Sequence, residues 1–81
     1  MLPATAVAEA LTRAGVTVLS VLTARDPQLE DDAIQLAGGY HVQVSADGYI
    51  LVRENPDGTL TFFPSASAIS MLLEQVAKAP L

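Results

Sequence analysis

The sequence lacks cysteine entirely, and long apolar runs are missing as well. Without cysteine, neither a disulfide framework nor a thiolate metal site can supplement the core, so stability must come from packing within the 81 residues or against another chain. No stretch approaches the roughly 18 uninterrupted apolar residues of a membrane span. The first residues also lack the cationic segment of a secretory signal. These absences predict one small cytoplasmic domain that has no membrane contact.

Cationic residues are scarce. Four Lys and Arg residues oppose nine Asp and Glu residues, which gives a formal net charge of −5. A protein of this charge repels a phosphate backbone, so direct nucleic-acid binding is not expected. The aromatic residues are limited to Tyr40, Tyr49, Phe62 and Phe63. Because no cations surround them in the sequence, they do not predict a platform for stacking bases.

Catalytic and metal-binding motifs are missing too. His41 is the single histidine, and no nucleophile or metal-binding group lies at a recognisable spacing from it. The sequence has no phosphate-binding glycine loop, no serine nucleophile elbow and no calcium-binding loop. We therefore expect no catalytic site, no metal and no cofactor. A small enzyme subunit that uses His41 beside Tyr40 is the least favoured alternative.

Apolar residues, in contrast, are abundant. They make up 51% of the chain, and the mean hydropathy of +0.39 is high for a protein with a large ratio of surface to volume. This excess predicts more apolar surface than one small core can cover. The alanine-rich, lysine-poor composition favours a bacterial or phage origin.

The first third of the chain predicts a helix followed by a strand. Residues 5–14 place apolar side chains on one stripe, with Thr5 as the N-cap and Gly15 just beyond the helix end. Residues 16–22 are rich in β-branched side chains, which favours a strand over a continuation of the helix. Since the apolar side chains of this strand point to both sides, we expect it to lie in the middle of a sheet.

A second helix is predicted from Asp26-Pro27 to residue 37, with Gly38-Gly39 as its end. Its outer side is acidic. The simplest interpretation is a solvated helix face whose first-turn acids oppose the helix dipole. The alternative is a surface for a basic partner protein, formed by Asp26, Glu30, Asp31 and Asp32.

The middle of the chain predicts a three-stranded antiparallel meander over 40–45, 49–53 and 60–63. The first turn is placed at 47–48, which pairs Val44 with Leu51. A three-residue loop at 56–58 forms the second turn.

The second loop pairs Asn55 with Thr59 and Val52 with Phe62. After the meander, Ser65 or Ser67 can cap an amphipathic C-terminal helix. The predicted fold class is therefore a small single α+β domain, residues 1–81, in the order helix, strand, helix, three-stranded meander, helix.

The registers of the two hairpins divide the meander residues between two faces, since directly opposed residues share a face. One face carries Ile50, Val52, Leu60 and Phe62 beside His41, Gln43 and Ser45. The other face carries Tyr40, Val42, Val44, Tyr49, Leu51 and Phe63. Both faces are largely apolar, whereas a sheet with one solvated face should alternate apolar and polar residues. We expect the second set to form a protein interface, although the side taken by the last helix decides which face is the core.

These features predict a non-catalytic, acidic protein-interaction module that self-associates, most simply as a homodimer. The alternative is an acidic inhibitor or regulator that occupies a basic groove of a partner protein.

Overall fold

The computed structural model describes residues 3–23 and 32–79, and in this part of the chain two helices pack on one face of a five-stranded antiparallel sheet. The elements in chain order are α1 (Ala4–Arg13), β1 (Val18–Leu22), β2 (Asp32–Leu36), β3 (Tyr40–Ser45), β4 (Gly48–Glu54), β5 (Leu60–Phe62) and α2 (Ile69–Lys78). Strand order in the sheet follows chain order from β1 to β5. The α+β class is confirmed, but the sheet has two more strands than the predicted meander.

The first helix is confirmed, with a different N-terminus. The N-cap is Pro3, which makes no side-chain cap bond, and Thr5 lies exposed inside α1. Gly15 closes the helix as predicted, at a φ of +90°. The N–H of Val16 donates to the carbonyl of Leu11 over 3.0 Å, which is the longer bond of a Schellman motif.

The segment after α1 is a strand, as predicted, but it lies at an edge of the sheet. β1 pairs with β2 alone. A bulge between Val18 and Ser20 interrupts the pairing. The apolar side chains on both sides of β1 therefore belong to an edge strand of this chain, although the same pattern is typical of a central one.

The second predicted helix is wrong over its last part. Residues 32–36 form β2, which is paired on one side with β1 and on the other with β3. Ile34 and Leu36 are buried while Gln35 between them is half-buried, so the apolar period here is two. Five residues are too few to separate this period from a helical one, and pairing with two neighbours decides the outcome. The proposed start at Asp26-Pro27 lies outside the described residues.

Gly38 and Gly39, predicted to end that helix, instead lie with Ala37 in the tight connection between β2 and β3. Their φ angles are +79° and +81°. Glycine is favoured there because residues with a Cβ rarely adopt this conformation.

The hairpin of β4 and β5 is confirmed in register. Val52 pairs with Phe62. Asn55 donates its N–H to the carbonyl of Thr59 over 2.8 Å. Gly58, the last residue of the predicted 56–58 loop, has a left-handed conformation, with a φ of +87°.

The predicted register of the β3–β4 hairpin is wrong by two residues. Val44 pairs with Tyr49 instead of Leu51, and the loop is Ala46-Asp47 instead of 47–48. A shift of two residues leaves every side chain on its predicted face, because side chains alternate with a period of two. The division of the meander into two faces is therefore retained.

The last helix begins at Ile69, and its N-cap is Ala68 without a side-chain cap bond, so neither Ser65 nor Ser67 caps it. Its predicted apolar stripe is confirmed: Leu72 and Val76 are buried in the core.

Both helices cover the face that was expected to be an interface. The core combines buried residues of α1 and α2 with that face of the sheet. The six candidate interface residues lie in this core or against it: Tyr40, Val42, Val44, Tyr49 and Leu51 are buried and Phe63 is half-buried. The assignment is therefore corrected. The face predicted as an interface belongs to the core, and the opposite face is left at the surface, because α1 and α2 pack on the same side of the sheet.

Candidate interaction surface

The sheet face opposite the helices is the candidate interaction surface, and we call it the open face. Alternation along the paired strands assigns its residues. They are Ser20, Leu22, Ala33, Gln35, His41, Gln43, Ser45, Ile50, Val52, Glu54, Leu60 and Phe62, together with Leu19 in the bulge of β1. Among the described elements, α1 packs against β1 and β2 and α2 against β4, with the buried residues of both helices joined to the other face.

Two apolar patches lie at opposite edges of the open face. The first, the β1 patch, consists of Leu19 and Leu22, which are 65% and 53% exposed. The second, the β5 patch, is larger. It consists of the exposed Leu60 and Phe62, at 49% and 58%, together with the half-buried Ile50 and the buried Val52. Neither β1 nor β5 contains a charged residue, although charge is the common protection of sheet edges.

The centre of the open face is polar. His41 and Gln43 of β3 and Gln35 of β2 are half-buried there. Four strand spacings of about 4.8 Å separate β1 from β5, so the two patches of one chain lie about 19 Å apart and do not touch. Val52 is buried between its cross-strand neighbours His41 and Phe62. The face thus offers two separate apolar contacts with hydrogen-bonding groups between them.

The residues considered for catalysis do not share a site. Tyr40 lies in the core, where its ring is 6.3 Å from that of Phe63. His41 is next in sequence and therefore points to the opposite face, opposite Gln35 and Val52 in the neighbouring strands. In residues 3–23 and 32–79, no group of three or more His, Cys, Asp or Glu is arranged to hold a metal ion.

The predicted acidic surface cannot be assembled from the described residues. Asp26, Glu30 and Asp31 lie outside them. Asp32 is half-buried at the start of β2, in register with Val44 on the side of the sheet that the helices cover. It is therefore part of a strand and not of a helix face.

The β1 patch was missed because β1 was expected to be a central strand. Apolar residues on both faces of the strand contain the necessary signal, but only the packing of α1 shows which of these faces stays uncovered. The β5 patch, in contrast, follows directly from the hairpin register, which had placed all four of its residues on one face.

Comparison with family models, curated proteins and solved structures finds no match for this chain. Among the described helices, none is long and apolar enough to cross a membrane.

Proposed function

We propose that this protein is a non-catalytic interaction module that self-associates through its open face. The observation that carries the proposal is the pair of exposed apolar patches on a sheet face that neither described helix covers. Patches of this kind on small proteins commonly mark protein contacts.

The positions of the patches favour a second copy as the partner. In a two-fold dimer with aligned sheets and an axis parallel to the strands, β1 of one copy faces β5 of the other. Each β1 patch then meets the partner's β5 patch, so this apolar contact forms twice. The polar centre of β3 faces its own copy, where His41 and Gln43 carry groups that can hydrogen-bond across the axis.

The size of the face predicts a weak dimer. Five strands of about five residues span roughly 24 by 17 Å, so each copy would bury on the order of 400 Å². Stable interfaces bury about 800 Å² per partner. We therefore expect a dissociation constant on the order of 10 µM or weaker.

Substitution of one residue in each patch tests the proposal. Phe62→Ser and Leu22→Ser should each weaken the dimer by at least about 100-fold, because each removes two buried side chains per dimer, worth about 1.5–3 kcal/mol apiece. Sedimentation velocity over a range of concentrations measures this.

Met71→Ser is the matched control, since Met71 is also an exposed large apolar residue, at 43%, but lies on α2. It should leave the dimer unchanged. Equal weakening by all three substitutions, or a dimer insensitive to Phe62→Ser and Leu22→Ser, would contradict the proposal. Circular dichroism of each variant checks that the fold is intact.

A further inference from the structure

The outer edge of β1 is a second surface with the chemistry of a binding site. β1 ends the sheet and pairs with β2 alone, so in the described part of the chain its other backbone edge has no strand beside it. Edge strands are commonly protected by charge or proline. The five residues of β1, Val18–Leu22, contain neither, and the bulge between Val18 and Ser20 leaves residues 20–22 as the regularly paired part of the strand.

A groove runs beside this edge, between α1 and the sheet. It is shallow and open to solvent, with a volume of about 400 Å³. Ala8 and Val21 form an apolar floor, and Glu9 and Arg13 supply opposite charges one helical turn apart. Neither of these two takes part in an ion pair in residues 3–23 and 32–79. The complete lining is Thr5, Ala8, Glu9, Thr12, Arg13 and Val21.

We propose that the β1 edge accepts an extended segment of a partner protein as an added strand. Backbone groups of β1 would bond to the segment, and alternate side chains of the segment would enter the groove, as in β-strand addition. The remaining side chains would lie beside Leu19 and Leu22. Both sides of the added strand therefore meet apolar surface, so the segment is apolar at successive positions.

The net charge of the chain favours basic flanks on the segment. The chain has a net charge of −5, which attracts a partner with Lys or Arg beside the apolar stretch and repels an acidic one. The recognised chemistry is thus a short apolar strand with basic flanks. The segment bonds to the edge of β1, whereas self-association uses the open face, and the two surfaces adjoin at Leu19 and Leu22.

The probe is an N-acetylated, C-amidated peptide of Val-Leu-Val-Leu-Val with two lysines at each end. NMR titration of the whole chain should move the amide signals of residues 18–22 in a saturable manner. A peptide with its three central amides N-methylated should bind at least tenfold more weakly, since successive amides point to opposite edges and both edges lose donors. Replacing the lysines with glutamates should weaken binding to a similar degree at low salt.

Two tryptophan substitutions complete the test. Thr12→Trp fills the groove and should weaken peptide binding at least tenfold, whereas Ser70→Trp on the exposed side of α2 should leave it unchanged. The proposal is overturned if the peptide does not bind, if N-methylation or Thr12→Trp leaves binding unchanged, or if the chemical-shift changes are confined to Phe62 and its neighbours.

Repeating the titration with Phe62→Ser separates the two sites. That variant should retain peptide binding even where self-association is lost.

Discussion

Gly48 shows how a single residue can be required for packing instead of for a turn. Its φ is +146°, and an added Cβ would collide with the backbone carbonyl oxygen of Ala66. Tyr49 and Ala66 exchange two backbone hydrogen bonds of 2.8 Å, which hold the segment after β5 against β4. The Asp47-Gly48 pair resembles a hairpin turn in sequence, yet the glycine lies within the strand because another part of the backbone passes close to it.

Gly48→Ala should therefore destabilise the protein more than the same change at Gly58. At Gly58 the φ of +87° imposes strain but nothing lies within 4 Å of an added Cβ, so the cost is about 1–2 kcal/mol. Gly48→Ala also displaces Ala66, which should lower the free energy of unfolding by roughly another 1–3 kcal/mol. Urea denaturation of both variants measures the difference in the free energy of unfolding. Equal losses would show that the close approach does not matter.

Asp57 makes the β4–β5 turn sensitive to acid. Thr59 donates its hydroxyl and its backbone N–H to the Asp57 carboxylate over 2.6 and 3.0 Å. These bonds hold the pKa of Asp57 below its usual value of 3.8. A carboxyl group whose pKa falls on folding stabilises the native state above its unfolded pKa, and the contribution is lost as the pH falls through the folded pKa.

Asp57→Asn should accordingly lower stability at neutral pH, and the difference from the wild type should vanish in strong acid. Thermal unfolding of both proteins from about pH 7 to about pH 2 measures this. A difference that stays constant over the whole range would contradict the role of the ionised carboxylate.

At the scale of elements, the sequence predicts local pairing better than the position of each strand. The Asn55–Thr59 turn is confirmed because proline and glycine at defined turn positions determine its geometry locally. β2 is missed because residues 32–36 are too few to show their period, and their strand state depends on neighbours on both sides. The same long-range pairing makes β1 an edge strand. Its composition alone does not reveal this.

The two helices, in turn, decide which sheet face becomes the core. Leu72 of α2 is fully buried, whereas the adjacent Met71 is 43% exposed. The helix propensities of leucine and methionine are similar, so substitution of each by alanine compares burial alone.

Leu72→Ala should cost about 2–5 kcal/mol, as for other large-to-small changes in a core. Met71→Ala should change the free energy of unfolding by no more than about 0.5 kcal/mol. Chemical denaturation distinguishes the two. Similar losses at both positions would mean that α2 does not present the Leu72 side to the sheet.

At the scale of the whole molecule, the asymmetry of the sheet connects fold and proposed function. The helices use one face to build the core and leave apolar residues at both edges of the other. The prediction placed the uncovered apolar face on the wrong side of the sheet, because the sequence does not determine where α2 packs. Its β5 residues could be deduced from the register, whereas Leu19 and Leu22 required the edge position of β1.

The most direct test of self-association is a nuclear Overhauser experiment on a concentrated sample that mixes labelled and unlabelled chains. Within one chain, β1 and β5 are about 19 Å apart, too far for a cross-peak between Leu22 and Phe62. We predict intermolecular cross-peaks from the Phe62 ring to the methyl groups of Leu22 and Leu19, which fade on dilution. A dimer without these cross-peaks, or a mass that stays at the 8.5 kDa of one chain at every concentration, would contradict the proposed function.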